Sequence, residues 1–218
     1  MHKQLGIICI ALGIICLMAS AGLVMYNHLE AKSAEEASAA MLHDIRPRMK
    51  EKEQKVSQAV IQDDVVQNIE DSNILQEMPI VQLDGYDCIG ILSIPVLELE
   101  LPVLHDWDYQ KLKLAPCQYY GSCYAENFVI AGHNYSAHFG RLSQLLPEDL
   151  ILFTDVLGET HYYEVVLLET LSATATESML TSGFDLSLYT CTPGGANRIT
   201  VRCQSVSEGY FGSDSGSE

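Results

Sequence analysis

Cys191 ends the run Asp185-Leu-Ser-Leu-Tyr-Thr-Cys191, and Thr-Pro-Gly-Gly-Ala-Asn leads from it to Arg198-Ile-Thr-Val-Arg202. The first run reads as a strand that delivers a thiol to a loop. Pro193-Gly194-Gly195 is a strong turn signal, and the second run reads as a strand that opens with a guanidinium. Upstream, Asn127-Phe-Val-Ile-Ala-Gly132 delivers His133 to a loop in the same manner. A thiol, an imidazole and a guanidinium are the nucleophile, the proton-transfer group and the oxyanion cation that acyl transfer through cysteine requires. Each alone is weak, because a free cysteine usually only fills space and a loop histidine is usually surface. Six other histidines compete: His2, His28, His43, His105, His138 and His161. His138 is the main rival, since it lies in the same loop as His133. Arg202 competes with Arg198, because both fall on one strand face. A hairpin with loop residues 192–197 sets Arg198 opposite Cys191, at ~5 Å between paired Cβ atoms. The same hairpin puts Arg202 near Ser187, ~13 Å from the thiol at ~3.3 Å rise per residue.

The elements that carry these groups follow from patterning. Residues 5–26 hold no charged side chain, which is long enough to cross a hydrocarbon core of about 30 Å. They read as an uncleaved signal anchor behind a head of residues 1–4. Residues 27–79 are rich in Ala, Glu, Lys and Gln, which favour helix, and Pro47 is expected to end or kink that helix. The apolar stripe is sparse, so this zone reads as an acidic helical stalk or linker, and a chain starting near residue 79 is expected to fold and work alone. Residues 80–207 change to short alternating strands, at 89–94, 97–103, 127–132, 150–154, 161–170, 185–191 and 198–206, with one short helix at 141–146. Many short strands joined by turns imply an all-β barrel or sandwich. Residues 208–218 are Gly, Ser and acid, a tail expected to be disordered.

Charge and cysteine use narrow the function. Of the 12 Lys and Arg only Lys3 precedes residue 27, and all 29 Asp and Glu follow it. So acidic a surface excludes phosphate-led nucleic-acid binding and argues against docking on anionic lipid. Cys9 and Cys16 lie in the apolar run, while Cys88, Cys117, Cys123, Cys191 and Cys203 lie beyond it. An odd number outside marks a candidate reactive thiol. Cys203 alternates with Ile199 and Val201 and reads as core. Cys117 and Cys123 read either as a small disulfide loop or as two free thiols. A zinc site is not expected, because no second ligand pair has suitable spacing.

The His133, Cys191 and Arg198 matches, in that chain order within residues 85–206, resemble the sortases, cysteine transpeptidases of Gram-positive cell surfaces. The family's Thr-Leu-x-Thr-Cys box reads Ser187-Leu188-Tyr189-Thr190-Cys191, with one conservative departure at its first position. The resemblance implies a closed eight-stranded barrel with short helices, behind the transmembrane helix and stalk. It implies that Cys191 attacks the Thr–Gly carbonyl of a Leu-Pro-x-Thr-Gly-like sorting signal, that His133 moves the amine protons, and that Arg198 holds the oxyanion or the peptide backbone. Thr190 would add a contact, and residues 173–187, with Ala173, Thr174 and Ser187, would wall the peptide groove; that segment is polar and rich in Ser and Thr, which suits a mobile loop. The implied partners are sorting-signal proteins and an amine acceptor, either a lipid-linked peptidoglycan precursor or a pilin subunit. The implied location is the cell membrane, single-pass, with the catalytic domain outside. No cofactor or metal site is expected; calcium dependence occurs in some sortases, and the acidic surface permits it without a motif that encodes it. Two other readings stand beside this one: a cysteine hydrolase without transfer, and an inactive barrel used as a tethered scaffold. The intact Cys, His and Arg argue against the scaffold.

Overall fold

The alternating runs form strands, and the computed structural model describes residues 2–62 and 78–207. Segment 63–77 and the acidic tail 208–218 lie outside the described residues. The strands are β1 (Val81–Leu83), β2 (Tyr86–Ile94), β3 (Leu99–Leu104), β4 (Cys117–Tyr120) and β5 (Phe128–Ala131), then β6 (Leu150–Asp155), β7 (Thr160–Ser172), β8 (Leu186–Cys191) and β9 (Asn197–Val206). They lie in the order β1-β2-β3-β4-β5-β8-β9-β7-β6, and β2 also pairs with β6. That second pairing closes eight strands, β2 to β9, into a barrel. Closure removes the free edges that an open sheet would present. β1 is a short addition paired with the start of β2.

Alternation fills the barrel. Ile89, Leu92, Ile94, Phe128, Ile130, Phe153, Leu188 and Val201 meet in its interior. The Phe128 and Phe153 rings pack edge to face at 5.0 Å, a favoured aromatic geometry. Cys203 joins this core, as its alternation with Val201 predicts. Two strands escape the sequence reading, β1 and β4, with three and four residues. Runs that short carry too little alternation to stand out. The expected helix at 141–146 is one 3₁₀ turn, Leu142–Gln144, and the segment between β7 and β8 holds a short helix α2 (Thr176–Leu180) where a polar loop is expected.

Helix α1 (His2–Gln62) runs without a break from the apolar segment into the acidic one, with Pro47 inside it. Proline in a helix removes one hydrogen bond and crowds the preceding turn, and tertiary contacts on either side hold the helix here. Arg46 pairs with Glu100, Arg48 donates to the Gln82 carbonyl, and Lys52 Nζ donates to the Ile80 carbonyl at 3.1 Å. Ile45 and Met49 pack into a second apolar cluster outside the barrel, with Leu83, Cys88, Ile91, Leu104, Leu112 and Cys117. The expected spacer therefore has a docked face. The residues that form it, Ala34, Ser38, Ile45 and Met49, recur at helical spacing, but half of them are small, which leaves the stripe faint. The amino-terminal part is different. It holds an 18-residue window of mean hydropathy 2.7 with none of it buried, a candidate membrane span.

Candidate active site

β8 carries Cys191 as its last residue. The β8–β9 ladder pairs Cys191 with Arg198 and Ser187 with Arg202. The turn between them needs backbone that glycine adopts freely, and Gly194 and Gly195 take φ of 84° and 75°. Gly195 N–H donates to the Thr192 carbonyl at 2.8 Å, and Thr192 N–H to the Asn197 carbonyl at 2.9 Å. Arg198 Nη1 donates to the Gly195 and Asn197 carbonyls at 3.0 and 3.1 Å, so the guanidinium rests on its own turn.

β5 lies parallel to β8, with Ala131 opposite Tyr189, and Gly132 N–H extends that ladder to the Tyr189 carbonyl at 3.0 Å. His133 follows two residues after Ala131 and Cys191 two after Tyr189, and both line one cavity. Gly132 admits no side chain, because a Cβ there would lie 2.5 Å from the Phe139 ring. Phe139 N–H donates to the His133 carbonyl at 3.0 Å and pins the backbone. One cavity of about 160 Å³ is lined by Cys191, His133 and Arg198 together. Ala173 lines it too, whereas Thr174, Thr190 and Ser187 do not. Thr190 points to the opposite face of β8 from Cys191 and is 1% exposed, as alternation requires. Ser187 Oγ accepts from Arg202 Nη1 at 2.8 Å, and exposed Thr174 is bonded to Ser172 at the end of β7.

His138, the rival, is fully buried. Ser38 Oγ of α1 donates its one proton to the Leu114 carbonyl at 2.6 Å, so His138 Nε2–H donates to Ser38 Oγ at 3.0 Å. Burial pushes the His138 pKa down to about 4, which keeps the ring neutral. His133 is half-buried. Burial lowers its pKa, the Glu30 charge raises it, and Lys113 lowers it. Its ring stacks on Tyr135, with centroids 4.8 Å apart and planes 30° apart.

Arg202 is 1% exposed. Its Nε donates to Glu169 at 2.8 Å, and its Nη2 to the Ser178 carbonyl at 2.7 Å. It anchors α2, the wall of the cavity that carries Thr176 and Met179. The mobile polar loop expected here is thus a tethered turn of helix. The sequence reading also misses the opposite wall. Trp107, Tyr119 and Tyr189 form a chain of rings at 5.5 and 5.4 Å, and Trp107, Tyr109, Tyr119 and Tyr189 all line the cavity. The signal was available in Asp106-Trp-Asp-Tyr109, which holds the chain's single tryptophan.

Cys117 and Cys123 are both free thiols, one in the cluster beneath α1 and the other against the barrel core. Among the described residues, one group could hold a cation: ligand atoms of Asp155, Glu159 and His161 lie within 4.8 Å of one another. Asp155 is already occupied, accepting from Tyr124 and from the N–H groups of Leu157 and Glu159. None of the three residues lines the Cys191 cavity.

The site sets a thiol, a half-buried imidazole and a guanidinium in one aromatic-walled cleft at the end of a closed barrel. A family profile described as a sortase domain matches residues 92–206, more than half of the chain. The chain belongs to the sortase family, a family of cysteine transpeptidases. Sortase C1 from Streptococcus suis is 25% identical, with 55% of this chain and 73% of that one covered and a TM-score of 0.50. A lid mutant of sortase A from Corynebacterium diphtheriae is 23% identical over 78% of this chain and 96% of that one, with a TM-score of 0.54. Sortase C-3 from Streptococcus pneumoniae is 22% identical over 82% and 91%, with a TM-score of 0.52. The latter two share the fold. No curated protein sequence matches the chain.

Proposed function

We propose that the chain is a membrane-anchored cysteine transpeptidase that cleaves a Leu-Pro-x-Thr-Gly-like sorting signal and transfers the acyl part to an amine. The observation that carries this reading is the strand register, in which β8 pairs Cys191 with Arg198 and runs parallel to the strand that leads to His133. His133 takes the thiol proton as Cys191 Sγ attacks the threonine carbonyl carbon. The C–N bond to glycine breaks, and His133 gives a proton to the departing amine. Arg198 donates to the oxygen that carries the tetrahedral charge. An acceptor amine then attacks the thioester carbon, His133 takes its surplus proton, the C–S bond breaks, and His133 returns the proton to Sγ to restore the thiol. The Trp107, Tyr119 and Tyr189 wall suits the apolar start of the signal, and α2 suits the other side of the peptide. Residues 5–26 would cross the membrane once, with the barrel outside. The acceptor would be a lipid-linked cell-wall precursor or a pilin lysine. No cofactor is proposed.

The test is incubation with a panel of sorting-motif peptides, with and without amines, read by mass spectrometry. A thioacyl adduct on the wild type, absent from Cys191→Ala, and an amine-dependent product are expected. Peptide cleaved at equal rates with no amine product would make the protein a hydrolase, and no adduct with any peptide would overturn the reading.

A further inference from the structure

A proton-transfer histidine works only when its ring is held in one orientation. Among the described residues no side chain hydrogen-bonds the His133 ring, which stacks on Tyr135 with centroids 4.8 Å apart. The Tyr135 ring in turn meets that of His138 at 5.7 Å. His138 ends this chain of rings, and its Nε2 lies 3.0 Å from Ser38 Oγ of α1. Both residues of that bond are buried, Ser38 at 3% and His138 at 0% exposure. The loop backbone transmits the hold, because Phe139 N–H donates to the His133 carbonyl at 3.0 Å and His138 N–H to the Tyr135 carbonyl at 2.9 Å. The Ser38 hydroxyl is itself aimed, since its proton goes to the Leu114 carbonyl at 2.6 Å and leaves its lone pairs for His138. Leu114 closes the 3₁₀ turn Lys111–Lys113, whose Leu112 lines the cavity. One buried hydroxyl of α1 thus joins the segment that carries a cavity wall to the loop that carries His133. Glu30 Oε1 of α1 also lies 3.5 Å from Lys113 Nζ, but so exposed a pair contributes little.

We infer that Ser38 is a positioning residue for His133, acting through His138 and Tyr135, so that α1 takes part in building the active site. This rests on the reading of His133 as the proton-transfer group. The Trp107 side of the cavity has a hold of its own, because Lys111 Nζ donates to the His105 and Asp106 carbonyls at 2.9 and 3.2 Å. Loss of the Ser38 hydroxyl therefore strikes the histidine loop and spares the aromatic wall, which is a change in kcat rather than in KM.

The experiment uses the full chain in detergent micelles with a sorting-motif peptide and a free amine, and measures kcat per folded molecule, KM and the urea midpoint. Ser38→Ala is expected to lower kcat by ~10-fold with KM unchanged, since a misplacement of ~1 Å can cost ~10²-fold. His138→Phe keeps a ring but loses the donor, and it leaves Ser38 bonded to Leu114, so it tests the same link if Ser38→Ala fails to fold. It should lose as much kcat, and the double variant no more than either alone, because coupled residues do not add. Met49→Ala weakens the docking of the same helix 11 residues on, ~16 Å away at ~1.5 Å per residue. It should lower the urea midpoint and keep kcat. An equal kcat loss in Met49→Ala would overturn the positioning role by assigning the effect to helix docking. A raised KM with unchanged kcat in Ser38→Ala would overturn it by assigning Ser38 to the substrate wall. His133→Asn separates the two levels of the argument. An active His133→Asn enzyme would remove the underlying reading, and the positioning role with it. An inactive His133→Asn beside Ser38→Ala and His138→Phe enzymes of wild-type kcat would overturn the positioning role alone.

Discussion

Burial separates the thiols of the barrel domain. It pushes the Cys88 and Cys117 pKa values up to about 12 and raises Cys123 and Cys203 as well. Such thiols stay protonated near neutrality and react slowly, whereas Cys191 opens into the cavity. A brief pulse of a hydrophilic alkylating reagent should therefore modify Cys191 before any other cysteine of residues 78–207 and abolish activity. Peptide mapping that finds Cys123 or Cys203 modified first would contradict this. The two arginines should part in opposite ways. Arg202 is buried and ion-paired with Glu169, and removing one member of a buried pair costs about 3–5 kcal/mol. Glu169 is partly exposed, which puts Arg202→Ala at the lower end of that range, read as a lower midpoint in urea unfolding. Its folded fraction should keep most of its chemistry. Among the described residues Arg198 is hydrogen-bonded only to the exposed turn, so Arg198→Lys should unfold like wild type yet lose ~10²–10³ in kcat, the usual effect of removing an oxyanion donor. Equal stability losses in both variants would refute the division.

At the scale of elements, α1 is held by a buried histidine that cannot take a proton cheaply. His138 has an ordinary pKa of 6.5, depressed to about 4 in the fold. Between those values the unfolded chain binds a proton that the folded chain does not, so stability falls as pH drops through that window. Because His138 bonds Ser38, α1 should loosen along with it. The slope of unfolding free energy between those pH values should be shallower in His138→Gln than in wild type; parallel slopes would show that other groups dominate. The α2 wall depends on Asn127 as well as Arg202. Asn127 Nδ2 donates to the Leu180 carbonyl at 2.6 Å, and its Oδ1 accepts from Ser182 Oγ at 3.1 Å.

For the whole molecule, the docked helix alters where the chain can be cut. A chain that begins at residue 27 keeps Glu30, Ser38, Ile45 and Met49 and should match the kcat of the full protein. One that begins at residue 79 uncovers Leu83, Cys88, Ile91 and Leu104, an apolar patch of the kind that promotes association. It should bind a hydrophobic dye, melt earlier and lose activity, against the expectation drawn from composition. Full activity and a clean monomer from residue 79 would mean that the docking is dispensable.

How far the sequence speaks depends on the range of the interaction. Period-two runs, the turn at Pro193-Gly-Gly195 and the apolar stretch at 5–26 are local features, and most strands, the β8–β9 register and the candidate span followed from them. The cysteine box singled out Cys191 because thiol, turn and guanidinium lie in one hairpin. What joins His133 to that hairpin is the parallel β5–β8 ladder, and what closes the barrel is the β2–β6 pairing. Both bring together segments far apart in the chain, and alternation does not say which strand pairs with which. The same limit hid the aromatic wall, the tethering of α2 by Arg202, and the docking of α1. The docked face of α1 needs only a few small or apolar side chains, so its composition still reads as a solvated helix. Sequence determined which residues could do chemistry; tertiary pairing decided which of them share a cavity, because a ladder between distant strands is specified only by the packing of the closed barrel.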